Sequence, residues 1–135
     1  MSTQAATKIR TSVMVFHHIY SSKKRRAMKE WAQDANLGAL CKVGNAGILV
    51  VEGPDEIVQD YVSKVKQMRW QSCHLRSERI REDDPPARSK GKGKKEEPQP
   101  RLKDCAGYVE YEKVSELNSQ MDKFGLQGMI KEALF

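Results

Sequence analysis

Residues 16 to 26, FHHIYSSKKRR, set two adjacent imidazoles and a tyrosine directly before two serines and four consecutive cations. Three kinds of chemistry compete for that run. A histidine pair can ligate a metal or pass a proton, and a cationic surface flanked by rings can hold nucleic acid. The plain alternative is a junction between strand and helix, with a satisfied core histidine and Lys23 to Arg26 as a solvated face.

Metal ligation fits poorly, because consecutive strand residues face opposite ways and His17 and His18 diverge unless a bulge intervenes. Zinc needs further ligands, and Cys73-His74 is the only other soft pair. The same divergence weakens a proton-transfer pair, and the chain has no nucleophile elbow, phosphate loop or HExxH. Cys41 and Cys73 read as small core thiols. No catalytic residue, metal or cofactor is expected.

RNA binding needs cations against phosphate and flat faces on which unpaired bases stack. His17, His18 and Tyr20 supply the faces, while Lys23, Lys24, Arg25 and Arg26 supply the charge. Lys64, Lys66, Arg69 and Arg76 extend it. The aliphatic ILVVEG lacks the aromatic consensus of an RNA-recognition motif, so the open sheet of that module is not expected. The rival reading is a protein-interaction module that docks an acidic partner on the basic block.

The charge distribution agrees with a polyanionic partner. Residues 1 to 80 carry 13 Lys/Arg against 7 Asp/Glu, residues 81 to 103 carry 8 against 5, and residues 104 to 135 carry 3 against 6. Three widely spaced cysteines without a CxxC suit a reducing compartment. A polar N-terminus and the lack of any long apolar run point away from secretion and membrane spanning. A nuclear or cytoplasmic location is expected.

The elements that must position these groups follow from periodicity. TSVMVFHHI, residues 11 to 19, is a strand apolar on both faces at Val13 to Phe16, so both faces of its sheet should be covered. Ser21 or Ser22 then caps a helix with Ala27, Met28, Trp31, Ala32 and Ala35 inward. Its four early cations lie at the positive end of the helix dipole, a cost that an anion would relieve. Residues 37 to 43 and 47 to 52 form a hairpin around Gly44-Asn45-Ala46. Pro54, Asp55 and Glu56 open a second helix, with Ile57, Val58, Tyr61, Val62, Val65 and Met68 facing the core. A fourth, more exposed strand runs from Trp70 to Arg76.

The order is βαββαβ, an α+β ferredoxin-like sandwich with a four-stranded antiparallel sheet. Residues 1 to 10 are a flexible N-terminus and 11 to 80 the core. Residues 82 to 103, with four of the five prolines, form a disordered charged insert, and residues 104 to 135 an extension of one strand and two helices packed on the core. Val114, Leu117, Met121 and Phe124 line the first of those helices, and Leu126, Met129, Ile130, Ala133 and Leu134 the second.

HHIYSSKKRRAMKEWAQDANL, GILVVEGP, MRWQSCHLR and FGLQGMIKEAL, in that order, resemble a known family. It is the domain at the C-terminus of some RWD-domain-containing proteins and, more distantly, of a spliceosomal tri-snRNP pre-mRNA processing factor. The resemblance implies a ferredoxin-like fold with C-terminal helices and, through the spliceosomal branch, a role in holding paired small nuclear RNA. The insert is not part of it.

Overall fold

The computed structural model describes residues 7–83, 102 and 107–134. Its elements are β1 (Thr7–Phe16), α1 (Ser22–Asp34), β2 (Gly38–Lys42), β3 (Gly47–Pro54), α2 (Asp55–Gln67), β4 (Cys73–Asp83), β5 (Gly107–Tyr111), α3 (Val114–Lys123) and α4 (Met129–Leu134). The first six strands and helices give a sheet ordered β4-β1-β3-β2, which is the ferredoxin-like arrangement. The sheet is larger than expected. β5 adds itself outside β2 in parallel register, Gly38 beside Gly107 through Lys42 beside Tyr111, so the sheet has five strands and is mixed.

Two apolar layers flank it. On one face Met14, Phe16, Leu49 and Val51 pack against Met28 and Ala32 of α1 and Val58, Tyr61 and Val65 of α2. On the other, Val13, Leu40, Ile48 and Val50 pack against Leu117 and Met121 of α3 and Met129, Ile130 and Ala133 of α4. The doubly apolar stretch of β1 is thus explained: helices cover both sides. Each large side chain removed from water in this way contributes about 1.5–3 kcal/mol. Ile57, Val114 and Leu134, expected on core faces, are instead 39%, 38% and 39% exposed at the rims of their helices.

Element ends differ from the sequence expectation at one end of the sheet. β1 begins at Thr7, inside the stretch assigned to a flexible N-terminus, and Ile9 is buried. β4 starts at Cys73 rather than Trp70 and continues past Arg76, through Glu82 and Asp83, antiparallel to the whole of β1. Its second half, SERIRED, hides its period because charged partners stand where apolar ones would. Arg10 pairs with Asp55 and Glu78 at 2.6 Å each, and Arg81 pairs with the buried Glu52 at 3.1 Å. Glu52 also accepts from the Thr11 hydroxyl. Leu102, counted within the disordered insert, is 1% exposed and packs with the α3–α4 layer. The rest of that insert beyond Asp83 lies outside the described residues, as do residues 1 to 6.

Ser21 is the cap of α1, its hydroxyl accepting from the Lys24 amide at 3.2 Å. At the β2–β3 turn Gly44 takes φ +91°, while the asparagine with positive φ is Asn36, at φ 58° just past α1, rather than Asn45. Among the described residues, no helix is long and apolar enough to cross a membrane.

Candidate nucleic-acid interface

β1 stops at Phe16, which changes the geometry of the histidine pair. Ile19 then bridges to Gly44, amide to carbonyl both ways at 2.9 Å, and its side chain is fully buried. It also fills the space over Gly47, where a Cβ would come within 2.3 Å of Ile19 Cγ1. This anchor turns the neighbouring rings outward. His17 is exposed, His18 half-buried, and Tyr20 60% exposed. The rings do not diverge as strand neighbours would. His17 and His18 meet edge to face with centroids 5.1 Å apart, and His18 stacks on Tyr20 at 5.0 Å and 25°.

The four cations that follow divide by role. Lys23 and Arg26 are exposed. Lys24 donates to the Arg69 carbonyl and lies 4.4 Å above the Trp70 ring, a cation–π contact joining the start of α1 to the end of α2. Trp70 is held in turn by Phe16, with centroids 4.5 Å apart, and by its indole N–H donating to the Val65 carbonyl at 2.8 Å. Arg25 turns to β5, where its Nε and Nη2 donate to the two Glu110 oxygens at 3.0 and 2.6 Å. Tyr108 donates to the same carboxylate at 2.7 Å and also contacts the Cys41 thiol. Arg25 accordingly holds the Glu110 carboxyl below its usual range, and burial pushes the Cys41 thiol up to about 12.

The more distant cations are brought together unevenly. Lys66 and Arg69 are exposed on the last turn of α2 and the segment after it. The segment that follows adjoins the ring cluster at Ser72, whose carbonyl accepts from the His17 amide at 3.1 Å. Lys64 stands apart, its ammonium 5.2 Å from the Trp31 ring in a groove between α1 and α2. Arg76 is the extra residue of the β4 bulge, exposed on the edge strand.

Ser22, Arg25, Arg26 and Lys29 line a cavity of about 390 Å³, with Tyr108 and Glu110 as its far wall. Lys29 was missed in the sequence, although its i+3 and i+4 spacing from Arg26 and Arg25 places it on their helical face. Glu110 and Tyr108 carry no sequence signal for this site, lying on a strand far along the chain from α1.

Fold and surface together define a ferredoxin-like α+β domain whose α1 start presents cations after a stacked pair of rings, one of them exposed. The chain belongs to the family of the small nuclear ribonucleoprotein Prp3 C-terminal domain, whose model matches residues 12–133, in agreement with the spliceosomal branch of the resemblance. Similar solved structures include full-length HypF in its phosphate- and nucleotide-bound form, at 15% identity and TM-score 0.40 over 62% of this chain. This chain spans 11% of that protein's length. Acylphosphatases from Bacillus subtilis (17% identity, TM-score 0.39, 56% of this chain and 84% of the other) and Coxiella burnetii (12%, 0.41, 77% and 93%) are similar at the same level.

Proposed function

We propose that this domain is a non-catalytic RNA-binding module of a nuclear ribonucleoprotein, using the surface formed by His17, His18, Tyr20 and the exposed cations of α1. The observation that carries the reading is the ring stack. Ile19 is buried while His18 and Tyr20 stack 5.0 Å apart at 25°, just before the helix start that bears the exposed Lys23 and Arg26. A base laid on Tyr20 would bring its flanking phosphates toward the cations at the start of α1. The family's description as the C-terminal domain of a small nuclear ribonucleoprotein supports the same class of partner.

α3 and α4 cover the sheet face that an RNA-recognition motif leaves open, which favours recognition at the end of the sheet over recognition across it. The test is a titration of fluorescent single-stranded and hairpin RNA against the wild type and the triple variant Lys23→Ala, Arg26→Ala and Lys29→Ala. Binding at low ionic strength that weakens in the triple variant supports the reading. No binding there, or equal affinity of the two proteins, overturns it and leaves an acidic protein as the partner of this surface.

A further inference from the structure

The cavity between α1 and β5 contains a nucleophile as well as cations. Ser22 is exposed on its wall, and the same helical stripe sets Arg25 and Arg26 three and four residues on and Lys29 seven on. Glu110 engages Arg25 with both oxygens and its charge also acts on Lys29, so the cavity sets Arg26 and Lys29 beside Ser22 with its one carboxylate already committed to Arg25. Ser21 differs: its oxygen already accepts the Lys24 amide, and it does not line the cavity. No acidic residue occupies the first turn of α1, so Lys23 and Arg26 meet the positive end of the helix dipole without a carboxylate from the helix itself.

We propose that Ser22 is a phosphorylation site whose phosphate lodges in this cavity against Arg26 and Lys29, and that the modification closes the adjoining surface to RNA. The donor is ATP and the catalyst a protein kinase. The bond from Ser22 Oγ to the γ-phosphorus forms as the bond from that phosphorus to the β–γ bridging oxygen breaks. ADP leaves, and the hydroxyl proton passes to the kinase's base. The four positions after Ser22 are all cationic, which suits a kinase with an acidic peptide groove. A phosphate at the first helical position carries about 1.5 to 2 negative charges near pH 7, and it faces both the helix dipole and an arginine four residues on. Attraction then replaces repulsion at the start of α1, and the cations it engages are withdrawn from RNA.

The closing of the surface rests on the RNA reading, whereas the docking of the phosphate does not. The test uses the full chain with phosphoserine genetically encoded at position 22. Its 31P resonance is followed through a pH titration, and its RNA affinity is compared with that of the unmodified chain. The second phosphate ionisation is expected at least half a unit below its ordinary value of about 6. It should return toward that value when Arg26→Ala and Lys29→Ala are combined, and RNA affinity should fall at least tenfold. A titration matching that of an unfolded phosphopeptide of the same sequence overturns the docking. A lowered ionisation with unchanged RNA affinity overturns the switch. If the unmodified chain binds no RNA, the RNA reading and the switch fail together while the 31P result still decides the docking. Incubation of the unmodified chain with ATP and a basic-directed kinase, followed by mass mapping, should place phosphate on Ser22. Transfer elsewhere but not to Ser22 overturns the site.

Discussion

Arg25 and Glu110 join α1 to the edge strand β5 through two contacts of 3.0 and 2.6 Å across 85 residues of sequence. This pair neutralises one of four consecutive cations and offsets the charge at the start of α1. It also makes neutralisation of all four cations a poor test of RNA binding, since loss of Arg25 alters the packing of α1 on β5 as well.

Glu110→Gln should therefore lower stability modestly, by at most about 1 kcal/mol, because both side chains are roughly a third exposed and solvent screens the pair. The folded carboxyl titrates below its ordinary value, so its contribution is complete above the unfolded value of about 4.3 and disappears as pH falls through the folded one. Asp55, lowered by Arg10, has the same sign. Denaturant midpoints of wild type and Glu110→Gln should differ constantly above about pH 5 and converge in acid. A gap that widened in acid would contradict the assignment.

Tyr20→Ala should weaken single-stranded RNA binding by about 1 to 3 kcal/mol with an unchanged salt slope, as expected when a stacking surface is removed. The Lys23, Arg26 and Lys29 triple variant should instead flatten the slope, by about 0.7 for each phosphate that is no longer neutralised. Salt titrations of the two variants separate the effects. Identical slopes for wild type and triple variant would show that these cations do not meet phosphate.

Leu102→Ala should destabilise the fold by about 2 to 5 kcal/mol, since its side chain is buried among the α3–α4 layer. Gly38→Ala should cost about 1 to 3 kcal/mol or more, because a Cβ there would lie 1.9 Å from the Leu102 carbonyl oxygen. Chemical denaturation measures both. A neutral Leu102→Ala would restore the view that position 102 belongs to an unanchored insert.

Cys41 should resist iodoacetamide at pH 8 in the native protein and react on unfolding, because burial raises its thiol to about 12. Mass spectrometry of labelled peptides checks this. Rapid native labelling of Cys41 would mean that β2 and β5 open readily.

Local pattern carried the helices and most strands into view. Apolar spacing in α1 and α2, the Ser21 cap, the glycines around α3 and α4, and the two-sided apolar run of β1 each depend on neighbours within a few residues. The βαββαβ order and the covered sheet follow from them. What the sequence left hidden depends on distance created by folding. The second half of β4 is charged at most positions, and its partners stand on other elements: Arg10 and Ser12 of β1 for Glu78, and Glu52 of β3 for Arg81. β5 could be foreseen as a strand but not as a parallel neighbour of β2, since backbone pairing carries no residue code. The run FHHIYSSKKRR located the candidate surface from composition alone, yet its internal division was decided by tertiary structure. Ile19, buried against Gly47, turned the rings outward, Trp70 took Lys24, and Glu110 took Arg25. Side-chain type determines what a residue can bind. Its folded surroundings determine which groups are already bound and which still face solvent.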